Sequence, residues 1–446
     1  MPSAAEQLAA NFNFGAFGKA TELRKRIWFT LGALIVYRLG TYIPLPGIDP
    51  AVISDVFARQ AGGILGMFNM FAGGALQRMT IFALNIMPYI SASIIIQLMT
   101  AVVPSLEAIK KEGEAGRKKL NQYTRYLTVL ITAGQAYGLA IGLEGMHSSM
   151  GSAVVDPGLF FRFTAVVTLL GGTMFLMWLG EQITARGIGN GISLIIFAGI
   201  VAQFPHSVAA TLELGRTGAL STPIIIGLMI LIVAVVFFVV FVERAQRRII
   251  IQYPKRQVGM RITGGESSHL PLKINTSGVI PPIFASSLLL MPITLIGFMA
   301  GSGPAWLSTV SVYLGHGQPL YLLLYVGLII FFAFFYTAVV FNPAETADNL
   351  KKYGGFIPGI RPGKNTADYL DRVLTRLTAI GAVYLAIVCI LPEILISRLA
   401  IPFYFGGTSL LIVVTVTMDT VAQVQSHLLA HQYEGLIKKA KLKGRR

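Results

Sequence analysis

IIIGLMILIVAVVFFVVFV, residues 224 to 242, contains no charged or hydrogen-bonding side chain. A helix of about 20 such residues crosses the ~30 Å hydrocarbon core of a bilayer. YLLLYVGLIIFFAFFYTAVVF, residues 321 to 341, reads nearly the same way, and both stretches can face lipid on all sides. Working outward, ten apolar runs of spanning length are predicted: 27 to 43, 81 to 103, 126 to 143, 159 to 180, 191 to 212, 223 to 242, 279 to 299, 321 to 341, 377 to 396 and 408 to 428. Composition agrees. Hydrophobic residues make up 54% of the chain and charged residues 13%, against about 25% in a soluble domain, and the mean hydropathy is +0.67. The fold class is an all-α polytopic membrane protein.

The loops set the orientation. Of the 36 Lys and Arg residues, 30 fall in 1 to 26, 105 to 125, 244 to 275, 342 to 376, 429 to 446 and at Arg186, all on one side of the predicted spans. Arg38, Arg59, Arg78, Arg162, Arg216 and Arg398 are the remainder. By the positive-inside rule the basic loops and both termini are expected in the cytoplasm. Residues 1 to 23 lack the apolar core of a cleavable signal, so the first span is expected to stay as an anchor. The single cysteine, Cys389, lies in an apolar span, which excludes an intramolecular disulfide and a thiolate metal cluster.

Ten spans divide at 213 to 222 into halves, 27 to 212 and 223 to 428, with a basic tail from 429 to 446. Five spans per half force opposite orientations. Inverted halves place a functional site near the midplane between them. Spans two, seven and ten carry the small and polar residues that belong at helix interfaces or against water: Asn85, Pro88, Ser91, Ser93 and Gln97; Pro281, Pro282, Ser286, Ser287 and Pro292; and Thr415, Thr417, Asp419 and Gln423. These spans, with the glycine-rich fifth, are expected around the centre. Pro281 and Pro282 also remove two backbone donors from the start of span seven, which is harmless in a first turn and loosening elsewhere.

Between spans one and two lies ILGMFNMFA, residues 64 to 72, flanked by Gly62, Gly63, Gly66, Gly73 and Gly74. As a helix it would reach only about 13 Å. It reads either as an amphipathic segment on the outer face or as a re-entrant plug in a vestibule, where non-spanning backbone is tolerated. The glycines suit a hinge.

Catalytic motifs are absent from the sequence: no H-E-x-x-H, no G-x-S-x-G, no Walker A loop and no Cys or His cluster. An enzyme is not expected, and no cofactor or metal is implied. Intramembrane ionisable residues are few. Asp419 is read as an interhelical hydrogen-bond former, Arg38 as snorkelling outward, and Glu181 and Glu393 as span-end residues. Ile86 and Ile90, and likewise Ile192 and Ile196, are spaced to share a helix face. Such pairs are ordinarily packing or lipid contacts, but a ring of apolar side chains can also gate a pore by dewetting.

Residues 243 to 275 and 342 to 376 are long basic loops, joined in charge by the tail KKAKLKGRR. They read as solvated faces that attract anionic phospholipids, or as a platform for an acidic partner or ribosomal RNA. GIRPG, residues 359 to 363, holds Arg361 between glycine turns and a proline, which suits a rigid partner contact.

The runs IMPYISASIIIQL (86 to 98), KKEGEAGRKKLNQYTRY (110 to 126), GTMFLMWLGEQITARGIGNGISL (172 to 194), HLPLK (269 to 273), FNPAETADNLKKYGGFIPGIRPG (341 to 363) and PFYFGGTSLLIVV (402 to 414) closely resemble the bacterial SecY family, the channel-forming subunits of the Sec translocase. The match runs in order over nearly the whole chain. It implies two inverted five-helix halves around an hourglass pore that opens across the membrane and sideways to lipid. On matching positions the constriction would be Ile86, Ile90, Ile192, Ile196, Ile283 and Ile412. The plug would run from Gly62 to Ala75, with Gly62, Ile64, Met67, Phe68, Phe71 and Gly73. The lateral gate would lie between spans two and three and spans seven and eight, with Ser91, Gln135 and Ser286 as a polar cluster. Arg247, Arg248, Lys255, Arg256, Arg361 and Lys364 would dock the SecA motor ATPase or the ribosome. SecE and SecG are the implied membrane partners, signal peptides and unfolded secretory or membrane proteins the clients, and the bacterial cytoplasmic membrane the location. A secondary transporter of a small solute and a membrane scaffold are the competing classes.

Overall fold

The chain is seen in a computed structural model that describes residues 21 to 59, 69, 72 to 148, 151 to 218, 221 to 253, 256 to 258, 261 to 263, 267 to 299, 313, 318 to 399 and 407 to 443. In order, its elements are α1 (Thr21–Gly40), α2 (Pro50–Arg59), α3 (Met87–Val102), α4 (Pro104–Lys111), α5 (Glu114–Glu144), β1 (His147–Ser148), β2 (Gly151–Ser152), α6 (Leu159–Arg186), α7 (Gly191–Arg216) and α8 (Thr222–Arg244). Then follow β3 (Gln246–Gln252), β4 (Arg256–Val258), β5 (Arg261–Thr263), β6 (Ser267–Lys273), α9 (Ile280–Met299), α10 (Pro319–Val340), α11 (Pro343–Lys352), α12 (Lys364–Leu399) and α13 (Gly407–Lys443). Gly62, Ile64, Met67, Phe68 and Phe71 of the expected plug, and Lys255 of the expected docking set, lie outside the described residues.

A helix overlies each predicted span. Among the described residues seven are long and apolar enough to cross a membrane, or eight if the bent pair α3 and α4 is one span. The chain is therefore a multi-pass membrane protein. The first helix falls short because its 20 residues include Glu22, Arg24, Lys25, Arg26 and Arg38. Span two differs from expectation. Residues 81 to 86 are turns rather than helix, and α3 starts at Met87 with Pro88 in the first turn, where a missing N–H costs nothing. At the other end Val103 is held extended (φ −98°, ψ 113°) by the proline that follows, and the chain bends by 99° into α4. Pro281 and Pro282 occupy the first turn of α9, where the harmless reading holds.

The chain divides into two compact units, one of Met1–Ala209, Leu290–Val312 and Ile412–Arg446, the other of Ala210–Leu289 and Tyr313–Leu411. In the first, α5 packs along α3 and α6, and α1 along α6. Thr124, Thr128 and Thr132 recur every fourth residue on the buried face of α5. Each hydroxyl donates to the carbonyl four residues back, at 2.9, 2.7 and 2.7 Å. Polar groups inside a membrane must be satisfied within the protein, and this ladder does so without a partner helix. Two ion pairs tie α5 to α6 at opposite ends of their contact: Arg125 with Glu181, and Arg162 with Glu144, each at 2.7 Å.

In the second unit, α10 and α11 pack on α12. Tyr321, Tyr325, Phe332 and Leu385 are fully buried there, and Phe284 meets Phe332 edge to face at 5.7 Å. Among the described residues the sheets are two-stranded and antiparallel: β1 with β2, β3 with β6, and β4 with β5. The long pair runs in unbroken register from Gln246 opposite Lys273 to Gln252 opposite Ser267. Its β-branched run Ile249, Ile250 and Ile251 alternates inward and outward, as a half-buried strand requires.

Candidate functional site

The chain approaches α3 through two residues with left-handed backbone, Met79 (φ 43°) and Asn85 (φ 50°). Asparagine tolerates this conformation better than most residues. It delivers Ile86 to the N-cap of α3, outside the helix proper (φ −98°, ψ 6°), where its carbonyl accepts the N–H of Ile90 at 3.2 Å. The expected i, i+4 relation therefore survives although Ile86 is not helical, and both side chains are buried, at 0% and 5% exposure.

The start of α7 is set by backbone contact. A β-carbon on Gly191 would fall 2.0 Å from the Gly180 carbonyl of α6, so only glycine lets the two helices meet there. Asn190 caps the helix, its Oδ1 accepting the Ile192 N–H at 3.1 Å, and Thr184 accepts the Gly191 N–H at 2.9 Å. The preceding loop is pinned from two sides. Thr30 of α1 accepts from the Ile188 N–H at 3.1 Å, and Gln423 of α13 accepts from the Gly189 N–H at 2.8 Å. Leu23 and Ile188 are buried beneath Ile27, Val424 and Leu428. These contacts place Ile192, half-buried, and Ile196, buried, one turn apart on α7. Ile412 is fully buried on α13 of the same unit, whereas Ile283 is half-buried on α9 of the other. Gly73, expected as part of a hinge, sits in a turn with φ 63°, its carbonyl held by Arg38 at 2.7 Å.

Ser91 is buried on α3 and Gln135 half-buried on α5, and no hydrogen bond joins them. Ser286 is buried on α9, its hydroxyl donating to the Ile283 carbonyl at 2.9 Å.

The two long basic loops form one body. Gln252, the last residue of β3, and Phe356 exchange backbone hydrogen bonds of 2.9 and 3.0 Å. Gly355 lies close beneath both side chains, since a β-carbon there would come 3.0 Å from Tyr253 and 3.1 Å from Ile251, tight enough that they would have to give way. Ile249, Leu272, Ile357, Leu370, Val373, Leu374 and Leu377 close a core beneath the sheet. Arg247 and Arg248 stand exposed on β3, and Arg256 opens β4. Arg361 is exposed on a turn fixed from both sides: the Ile360 N–H returns to the Ile357 carbonyl at 3.1 Å, and the Thr366 hydroxyl donates to the carbonyl of Arg361 itself at 3.0 Å. Left-handed Gly359 (φ 83°) and Gly363 (φ 104°) make the turn possible. Lys364 is exposed at the first position of α12, whose first turn has no acidic residue. Two cations at a helix N-terminus are placed against the dipole, a geometry suited to an anionic partner.

Sequence reading missed the fastening of this platform. Glu243, at the end of α8, is buried and accepts from Asn275 Nδ2 at 2.7 Å, while the same amide donates to the Gly278 carbonyl at 3.0 Å and accepts from Ser277 at 3.0 Å. A lone glutamate at a span end beside Arg244 carries no such signal in one dimension. Asp419, expected in an interhelical hydrogen bond, is instead exposed and makes no hydrogen bond or ion pair among the described residues. Thr415, about one turn earlier on α13, takes the buried position.

The SecY family model matches residues 80–421. A relative from Escherichia coli (strain K12), Protein translocase subunit SecY, is 59% identical over 430 residues, covering 96% of this chain and 97% of its own. Among solved structures, one described as "The structure of a protein conducting channel" superposes with a TM-score of 0.63 at 18% identity, over 91% of this chain and 92% of that one. Another, "Sec61 in the Canine ribosome-channel complex from the endoplasmic reticulum", gives 0.59 at 17% identity over the same shares. The fold is that of these channels, and with a family match over most of its length the chain belongs to the SecY family.

Proposed function

We propose that this chain is the protein-conducting channel of a bacterial Sec translocase. It passes unfolded, signal-bearing polypeptides across the cytoplasmic membrane and releases transmembrane segments sideways into lipid. Membership of a translocase family over nearly the whole chain carries this reading. The pore lies between inverted halves, constricted by Ile86, Ile90, Ile192, Ile196, Ile283 and Ile412 and closed at rest by residues 62 to 75. Apolar side chains exclude water and ions while making few specific contacts, so diverse chains can slide. A hydrophobic signal peptide intercalates at a lateral gate flanked by Ser91, Gln135 and Ser286, and opening follows from its better binding to the parted state.

Energy comes from a partner, since the sequence holds no nucleotide-binding loop. The rigid Arg361 turn, with Arg247, Arg248, Arg256 and Lys364, supports docking of the SecA motor or of a translating ribosome on the cytoplasmic face, where both termini also lie. SecE and SecG complete the assembly, and anionic phospholipids contact the remaining basic surface. A secondary transporter is disfavoured by the match to a translocase family over nearly the whole chain.

The test puts cysteine at Ile86 in a Cys389→Ser background and stalls a signal-bearing chain carrying one cysteine mid-segment. A disulfide that depends on motor and ATP is expected. No crosslink despite a confirmed stalled intermediate would return the transporter and scaffold readings to contention.

A further inference from the structure

The glycine pair that looks like a hinge is among the most firmly held points of the first unit. Asn69 accepts the Gly74 N–H on its carbonyl at 2.9 Å, and its side chain pairs with Gln77 in both directions. The Gln77 N–H donates to Oδ1 at 2.8 Å, and Nδ2 donates to Gln77 Oε1 at 3.3 Å. Gly73 and Gly74 both have left-handed backbone, and a β-carbon on Gly73 would lie 2.9 Å from the α-carbon of Gly199. The turn thus rests directly on the backbone of α7.

Two arginines converge on it. Arg38 Nη1 donates to the Gly73 carbonyl at 2.7 Å, and Arg78 Nη2 donates to the same oxygen at 3.3 Å while its Nε donates to the Gly74 carbonyl at 3.1 Å. Both guanidinium groups also lie near the face of Tyr42, at 4.0 Å for Arg78 and 5.3 Å for Arg38. Arg38 further reaches the hydroxyls of Thr41 and Tyr42 at 3.4 Å each. Neither arginine has a carboxylate partner among the described residues. What gathers two like charges is therefore the shared carbonyl acceptor and the aromatic face. If the turn left, both cations would lose the carbonyl and remain side by side.

Building on the plug reading above, we propose that Arg38 from α1 and Arg78 from within the turn form a latch that holds the turn Gly73 to Gln77 to the end of α1, and so sets how tightly the resting channel is sealed. They are positioning residues, acting on the turn and on Tyr42. A displacement of Gly73 and Gly74 then breaks the latch.

The test uses the full chain assembled in membrane vesicles and compares resting potassium leak with the leak when a stalled client occupies the channel, the latter serving as reference. Loss of a charge-assisted hydrogen bond is expected to raise the resting leak about tenfold in Arg38→Gln and in Arg78→Gln. Arg38→Lys, which keeps one donor, should fall between. Asn69→Ala, which removes the pair with Gln77 but no cation, should also leak, so the result does not hang on one assembly-sensitive variant. Deleting residues 62 to 68, which leaves Asn69 and its pair with Gln77 in place, separates the two readings. If the deletion leaks and the arginine variants, present at parental amounts, do not, the latch is wrong and the plug stands. If the deletion itself stays tight, the plug reading falls and the latch with it.

Discussion

Gln252 and Phe356 exchange both of their backbone hydrogen bonds, at 2.9 and 3.0 Å, and so bridge two connecting segments far apart in sequence into one body. The exposed arginines of β3 and the Arg361 turn consequently belong to a single surface. A partner that binds it meets a preorganised array, which saves the ordering cost that two independent loops would impose.

That pairing is open to direct attack. Phe356→Pro removes one donor of the exchange, and Gly355→Val forces a side chain onto Tyr253 and Ile251, at a cost of about 1–3 kcal/mol for overpacking. Phe356→Ala leaves both backbone bonds intact. Motor binding to vesicles should weaken in the first two variants and much less in the third. Equal loss in Phe356→Pro and Phe356→Ala, with Gly355→Val unaffected, would mean that the Phe356 side chain, and not the backbone bridge, matters.

Arg361 should be the most sensitive single position for docking. Replacing it with alanine is expected to weaken motor binding by about tenfold or more, the scale of a well-positioned charge-assisted contact. Arg361→Lys should recover only part, because an ammonium cannot reproduce the planar fork. Full recovery by lysine would reduce its role to charge.

The buried amide beneath the platform predicts a stability effect. Asn275→Ala leaves Glu243 without its 2.7 Å donor and should cost about 1.5–3 kcal/mol, the worth of a hydrogen bond to a charged group. Asn275→Asp, which sets a second carboxylate beside the first, should cost more. Thermal unfolding of the purified protein reads both. A melting temperature unchanged by Asn275→Ala would show that water replaces the amide.

The two clasps between α5 and α6 should differ according to burial. The Glu144 side chain is 11% exposed and its partner Arg162 32%, against 35% for Glu181 and 47% for Arg125. Removing the charge of the more exposed pair with Glu181→Gln should cost less than about 1 kcal/mol after solvent screening. Glu144→Gln should cost more, because Arg162 and the Gly158 N–H, 3.1 Å from Glu144, both lose a charged acceptor. The reverse order in unfolding measurements would mean that bidentate geometry outweighs burial.

Polar replacement at the constriction tests the gasket. Ile196→Asn should raise resting ion conductance by roughly an order of magnitude, since one hydrogen-bonding side chain wets an apolar ring. A scaffold would tolerate the change, and an unaltered conductance would favour that class.

Much of this was legible in one dimension for a simple reason. In a bilayer, length, hydropathy and loop charge act on each helix separately, so IIIGLMILIVAVVFFVVFV declares a span whatever surrounds it. Proline punctuation was less fully read. Pro88 and Pro104 define a shorter α3 than the apolar run suggests, because hydropathy counts residues and the backbone counts hydrogen bonds.

The sequence by itself determined the class of protein, the spans, the basic faces and, through matched motifs, the family. Tertiary structure alone decided that Phe356 pairs with Gln252, that Asn275 serves Glu243, that Asp419 faces outward and that Arg38 and Arg78 share the carbonyl of Gly73. The physical reason is range. Transfer into lipid is summed over neighbours in sequence, whereas a hydrogen bond requires donor and acceptor within about 3 Å, and which distant residues meet at that distance is settled only when the helices pack.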